Sequence, residues 1–230
     1  MKTIVKAILQ YLLFWLMYLL GVYIFKIKNR IMFTGKSNLP RKTKILYISN
    51  HQTLIDSLLI GISLINCREL LLRQKNIPWN APDRKNFLDH GFAKFFFSLL
   101  KNIPTDRNIK TKEDMKNQID GYCQIIKRGW NLLLFFEGTR TRDGSIGKCK
   151  RGAAWTILQA KPDFIIPIRI EGISPIMPVQ VGFKYGQISS GHHGQVIIGQ
   201  ALSFTDIISS KLSDELKVRQ ITKRIEEYYQ

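Results

Sequence analysis

Acidic side chains are scarce in this 230-residue chain: 17 Asp and Glu stand against 35 Lys and Arg, a formal net charge of +18. Such a surface attracts polyanions, which leaves nucleic acid, anionic lipid headgroups and phosphorylated small molecules as ligand classes. Cysteine is scarce too. Cys67, Cys123 and Cys149 are an odd number with no paired spacing and no histidine partner nearby, which argues against a disulfide framework and a zinc site and for a reducing compartment. No metal is implied. The chain also lacks internal repeats, low-complexity tracts and an interdomain linker, so one αβ domain with an appendage is expected. A Gly-x-Ser-x-Gly nucleophile elbow is missing. The basic residues are scattered among helices and loops with no recognised nucleic-acid module, so no nucleic acid is expected as a partner.

Charge is absent altogether from Ala7 to Phe25, with Lys2 and Lys6 before the run and Lys26, Lys28 and Arg30 after it. At about 1.5 Å per residue this run nearly reaches the roughly 30 Å thickness of a bilayer core, and Tyr11, Trp15, Tyr18 and Tyr23 supply interfacial rings. It is long for the core of a signal peptide and no small-x-small cleavage site follows. The segment 1–30 therefore reads as a membrane-associated helix, and 31–230 as the αβ domain that it tethers. Both a spanning and a half-immersed placement satisfy the pattern. The basic cluster continues through Lys36, Arg41, Lys42 and Lys44, which places the domain on the cytoplasmic side and favours anionic membrane lipids as partners.

The chemistry-bearing stretch is Ser49-Asn50-His51-Gln52-Thr53-Leu54-Ile55-Asp56. Ahead of it, Ile45 to Ile48 is short, apolar and β-rich; after it, Leu54, Leu58, Leu59 and Ile62 recur at helical spacing. On one continuous helix His51 and Asp56 would lie about 140° apart. They meet only if His51 occupies the turn and Asp56 the opening of the helix. A histidine beside a helix start is often no more than a cap. One held through a ring nitrogen by a carboxylate keeps the other nitrogen free as a general base at neutral pH.

Downstream, Glu69 to Arg73 reads as a strand, Pro78 to Asp83 as a loop, and Phe92 to Leu100 as an apolar helix, either buried or membrane-facing. Asn102 to Arg107 is a short strand or turn ending in an acid and a guanidinium. A helix from Thr111 to Arg128 carries Met115, Ile119, Tyr122 and Ile126 on one face and stops at Gly129. Leu132 to Phe136 is apolar enough for a central strand and ends at Glu137-Gly138-Thr139-Arg140. Strand ends in open αβ sheets are where ligands bind, and an arginine can hold a phosphate through two parallel hydrogen bonds. The competing account of this tetrad is a turn closed by a Glu137–Arg140 ion pair. Lys148 and Lys150 add cationic groups, followed by a small-residue helix start. Gly191-His192-His193-Gly194 reads as a surface hairpin leading into a strand from Gln195 to Gly199. Ser213, Asp214 and Glu215 open a C-terminal amphipathic helix with Leu216, Ile221 and Ile225 on its buried face.

Over about residues 40 to 205 the chain resembles the glycerolipid acyltransferase family, which includes lysophosphatidic acid acyltransferases. Asn50 to Asp56 resembles its His-x4-Asp motif; Ile103-Pro104-Thr105-Asp106-Arg107 the second block; Phe136-Glu137-Gly138-Thr139-Arg140 the third; and Ile165-Ile166-Pro167-Ile168-Arg169-Ile170 the fourth. The family usually has serine at the place of Thr53 and proline at that of Phe136. The resemblance implies an α/β fold with a mixed sheet flanked by helices, His51 as base and Asp56 as its orienting partner, and Arg107 and Arg140 on the acceptor's phosphate with Glu137, Gly138 and Thr139 shaping the site. Lys148 and Lys150 are assigned to the anionic donor. The implied reaction moves an acyl group from acyl-CoA or acyl carrier protein to a lysophospholipid, lysophosphatidic acid first among them, with no cofactor beyond the donor. Glycerol 3-phosphate, another lysophospholipid or a lyso-aminolipid is the alternative acceptor. A non-enzymatic basic membrane or nucleic-acid-binding protein is the alternative from another class.

Overall fold

The computed structural model describes residues 2–84, 94–95, 97, 99–106, 109, 111–141, 143–178 and 188–230. In chain order the elements are α1 (Lys2–Val22), continued as a π-helical segment Tyr23–Lys28, then β1 (Arg30–Thr34), β2 (Ile45–Ser49), α2 (Asp56–Leu64), α3 (Cys67–Leu72) and β3 (Trp79–Asn80). After these come α4 (Lys112–Lys127), β4 (Leu132–Phe135), α5 (Arg151–Ala160), β5 (Phe164–Glu171), β6 (His193–Ile198), α6 (Thr205–Ser209) and α7 (Asp214–Tyr229).

The strands form one sheet in the order β1-β6-β5-β2-β4-β3. Every pairing is parallel except β5 with β6. This is the mixed sheet flanked by helices that the family resemblance implies. β2 lies between β4 and β5 with all five residues buried, so its side chains alternate between two apolar layers. Ile45 and Tyr47 join a core with α1 and α2, which includes Phe14, Phe25 and Leu59. Leu46 and Ile48 face α4, α5 and α7, among Ile126, Ile157 and Ile221. The apolar N-terminal stretch thus shares a core with the sheet, and Gly21 lets α1 approach α2: a Cβ there would lie 2.7 Å from Ile62.

Register sets up the site. Ser49 pairs with Phe135 on one side and Ile168 on the other, so His51 and Glu137 each stand two residues beyond adjacent strand ends. Beyond β3 the sheet continues irregularly, through bridges of Asn80 with Asn102 and Asp83 with Thr105.

Four expectations are corrected, the first being Pro78 to Asp83, read as a loop but holding β3 at Trp79–Asn80 beside β4. Glu69 to Arg73 is not a strand: Asn66 and Glu69 form a reciprocal capping box that opens α3, an outcome signalled by their three-residue spacing. The histidine pair does not form the tip of a tight hairpin. β6 already begins at His193, and Gly194 is a strand residue whose missing side chain lets the Glu171 carbonyl approach; a Cβ there would meet it at 2.5 Å. On α7 the buried face is Val218, Ile221, Ile225 and Tyr229, whereas Leu216 is exposed. Of the apolar stretch 92–100, residues 92, 93, 96 and 98 lie outside the described residues; Leu99 is buried and Phe95 exposed.

Candidate active site

His51 sits in the turn after β2, and Asp56 is the first residue of α2. Their side chains meet, with Nδ1 2.9 Å from Asp56 Oδ2. Asp56 is fully buried, and its carboxylate gathers the turn around itself. Oδ2 also accepts the backbone N–H of Gln52 at 2.6 Å and of Thr53 at 2.9 Å, and Oδ1 accepts the Thr53 hydroxyl at 2.5 Å. A carboxylate at a helix N-terminus is favoured by the helix dipole as well. An acceptor so placed fixes the proton of His51 on Nδ1 and leaves Nε2 with its lone pair. The imidazole stacks on Phe135, centroids 3.8 Å apart and planes 11° from parallel.

The backbone of His51 is clamped from both ends. Its N–H donates to Glu137 Oε1 at 2.8 Å, and its carbonyl accepts the Thr141 N–H at 3.0 Å. The other Glu137 oxygen accepts from Gly147 N at 3.0 Å. Both oxygens are thus used on backbone, and a Glu137–Arg140 ion pair is not what closes this turn. Burial raises the Glu137 carboxyl above its ordinary range; the two N–H donors oppose the shift and the nearby Asp56 charge adds to it. Gly147 has a steric reason as well, since a Cβ there would come within 2.7 Å of Glu137 Oε2.

Two amides tie this turn to β5 and beyond. Asn50 exchanges two hydrogen bonds of 2.8 Å with the backbone of Ile170, as a strand residue would. Gln52 Oε1 accepts from Ile173 N and Ser174 N, while its Nε2 donates to Gly144 O. Both amides are buried, so each leaves no unmet polar group where it would cost most.

Gly138 adopts φ +66°, a conformation that favours glycine, and its Cα side lies against the Lys150 stem. Thr139, Lys148 and Lys150 are exposed and Arg140 is half-buried, one residue before the Thr141 that holds His51. Arg107 lies outside the described residues. The structure therefore assembles His51, Asp56 and Glu137 directly and places Gly138, Thr139, Arg140, Lys148 and Lys150 on the adjoining loops.

What sequence reasoning did not find is the cavity. A cleft of about 320 Å³ reaches His51 and Phe135, bounded by Leu54, Leu58 and Ile62 of the α2 region and by Met17 and Leu20 of α1. Its far wall includes Ile77, Pro78 and Lys101. Lys101 is itself buried and donates to the carbonyls of Gln74, Lys75 and Ile77 at 2.8, 3.2 and 3.1 Å; burial lowers its ammonium pKa to about 8. The supporting roles of Asn50, Gln52, Thr141 and Gly147 were also unassigned. Only Asn50 and Gln52 carry a sequence signal, the oddity of amides beside an apolar strand end.

Comparison with known proteins matches a family model described as Acyltransferase to residues 30–171. The chain is 27% identical over 153 residues to the 1-acyl-sn-glycerol-3-phosphate acyltransferase LPAT1, chloroplastic, of Arabidopsis thaliana, a match covering 65% of this chain and 38% of the plant protein. It is 24% identical over 206 residues to a probable 1-acyl-sn-glycerol-3-phosphate acyltransferase of Mycoplasma pneumoniae, covering 87% of this chain and 73% of that one. In fold it is similar to the 1-acyl-sn-glycerophosphate (LPA) acyltransferase PlsC from Thermotoga maritima, with a TM-score of 0.63 and 15% identity over 99% of this chain and 83% of that chain. The chain spans less than half the length of the plant relative.

Proposed function

The chain belongs to the acyltransferase family, and from that premise we propose that it transfers a fatty acyl group from a thioester donor to the free hydroxyl of lysophosphatidic acid, giving phosphatidic acid. The observation that carries this reading is the coincidence of a base with an apolar cleft: His51, oriented by buried Asp56, is itself part of the wall. Clefts of this size and character bind the apolar bodies of small ligands and orient them through a few polar groups.

In the proposed step, Nε2 of His51 takes the proton of the acceptor hydroxyl as its oxygen bonds to the thioester carbonyl carbon. Asp56 steadies the imidazolium that forms. When the tetrahedral adduct collapses, the carbon–sulfur bond breaks and the thiolate takes the proton back from His51. Protons and electron pairs balance without a covalent enzyme intermediate or a cofactor besides the donor. Glu137, Gly138 and Thr139 keep the turn in place; Arg140 and Arg107 bind the acceptor's phosphate, and Lys148 and Lys150 attract the anionic donor, acyl-CoA or acyl carrier protein.

The membrane enters through α1. The helical stretch Ile4–Lys28 is long and apolar enough to cross a bilayer, yet Phe14, Ile24 and Phe25 are buried in the protein core while Ile8, Leu12, Leu16 and Leu19 are exposed. In this reading residues 1–30 associate with the cytoplasmic membrane through the exposed stripe, 31–230 form the catalytic domain facing the cytoplasm, and the inner face of α1 helps hold the acyl chain.

The test is a transfer assay on the purified full chain in detergent, with labelled acyl-CoA and labelled acyl carrier protein offered separately against an acceptor panel. Lysophosphatidic acid is expected to give the highest kcat/KM. Label passing to glycerol 3-phosphate, another lysophospholipid or a lyso-aminolipid instead would reassign the acceptor, and label passing to none would overturn the activity.

A further inference from the structure

Beneath the site, one side chain touches two of the strands that carry it and the residue that follows a third. Tyr229, in the last turn of α7, is among the largest fully buried side chains. Its hydroxyl lies on the rung between β2 and β5, 2.7 Å from Ile48 O and 3.1 Å from Ile168 N. The phenol donates to Ile48 O and accepts from Ile168 N; Ile168 O, at 3.1 Å, is also within reach. Ile48 stands three residues before His51, and Ile168 two before the Ile170 that pairs with Asn50. The ring packs on Phe136 with centroids 4.5 Å apart, and Phe136 is followed by the Glu137 that holds His51 N.

The same helix turn has two further ties. Arg169 Nη1 donates to Tyr229 O at 3.1 Å, and Glu226 Oε1 accepts from Cys149 N at 2.9 Å, bracing the loop between Lys148 and Lys150. A phenol so deeply buried would lose stability if its hydroxyl were unmet. A core contact alone needs only the ring. The hydroxyl, by contrast, reaches polar backbone just where the strands release their catalytic turns.

We propose that Tyr229 is a positioning residue: its hydroxyl pins the β2–β5 rung and its ring supports the start of the Glu137 turn, so that α7 sets the placement of the His51–Asp56 pair from below. The proposal rests on the catalytic reading of His51 given above. Its test therefore has one readout that needs substrate and one that does not.

Kinetics are measured on the full chain in detergent for wild type, Tyr229→Phe and Tyr228→Phe, well below their melting temperatures. The Tyr228 hydroxyl lies toward Gly199 rather than on the rung. Tyr229→Phe is expected to lower kcat by about tenfold, the scale on which small misplacements of reacting groups act, while both KM values hold; Tyr228→Phe keeps wild-type kcat. In parallel, the imidazole of His51, assigned by its loss in His51→Ala, is titrated by NMR. Its midpoint is expected to move in Tyr229→Phe and not in Tyr228→Phe. A lower melting temperature with unchanged kcat and unchanged His51 titration would make Tyr229 a core residue only and overturn the proposal. Inactive wild type with a shifted His51 midpoint would overturn the acyl-transfer reading and leave the positioning role standing. Should the phenylalanine variant not fold, 4-aminophenylalanine at 229 keeps the ring and a donor: wild-type kcat supports the pin, and a folded variant with depressed kcat overturns it.

Discussion

The two halves of the site are held by different forces. At the strand ends nearly every polar group is buried and satisfied: Asp56 takes four donors, Glu137 two, and Asn50 and Gln52 bond backbone on β5 and beyond. A few steps away the cleft is bounded by Met17, Leu20, Leu58 and Ile62, with shape rather than hydrogen bonds defining it. Hydrogen bonds fix angles and protons, as a general base requires. Apolar walls tolerate a flexible chain of varying length. The contrast predicts that substitutions in the first half change rate and those in the second change selectivity.

Asp56→Asn should break the first half most severely. The amide leaves the Nδ1 proton of His51 without its charged acceptor and sets an NH₂ group against backbone donors. A loss of about 10² to 10⁴ in kcat is expected, checked by steady-state kinetics beside a circular-dichroism melt; a folded variant with near-normal kcat would dissolve the distinction between the halves.

Gly147→Ala comes next. The added methyl meets Oε2 of Glu137, a buried carboxylate whose two oxygens already accept one N–H each, from His51 and from Gly147 itself. The loop must move, and with it the clamp on His51. We expect kcat to fall by about tenfold, as misplacement rather than loss of a group would do, with the KM for donor chains of different lengths changing in common.

Leu58→Phe sharpens the comparison from the other side. It adds bulk to the cleft without touching the hydrogen-bonded turn, so kcat for short acyl chains should persist while long ones are rejected. Each methylene denied burial costs about 0.8 kcal/mol, roughly fourfold in kcat/KM. A panel of donors differing in chain length measures it, and uniform loss at all lengths would show that the cleft is not where the chain lies.

This division also explains what could be read from the residues alone. The places of His51 and Glu137 just past strand ends were legible because each closely follows a short apolar run, and β2 and β4 end within one residue of the expected positions. Such signals are local. The cleft is not: Leu20, Leu58, Ile77 and Lys101 come from four distant segments, and nothing in the charge-free run 7–25 tells a bilayer-facing residue from one lining a pocket. Glu69 to Arg73 was misread because apolar leucines were weighed above the Asn66 and Glu69 caps. Gly194 was misread because a glycine allowing close strand approach has the same letter as one in a turn.

The smallest effect concerns the far wall. Lys101 has its folded-state pKa depressed to about 8 by burial, against 10.5 for the free side chain, so between these values the unfolded chain binds more protons. Stability then rises with pH across that window, by up to about 1.4 kcal/mol per unit, and the gain is lost as pH falls through 8. Lys101→Met removes the titration. Melting temperatures of the two proteins from pH 7 to 10 should show wild type gaining on the variant, and parallel curves would mean that burial does not depress the Lys101 pKa.

The most direct test of the central claim is the rate of labelled acyl transfer to lysophosphatidic acid by wild type and His51→Ala, in the same detergent and with melting temperatures matched. The imidazole is half-buried at the cleft and stacks on Phe135, so the variant should fold and bind both substrates. Transfer by His51→Ala slower by about 10² to 10⁴, with KM values preserved, is the predicted result; transfer within a few-fold of wild type would contradict the assignment of His51 as the base.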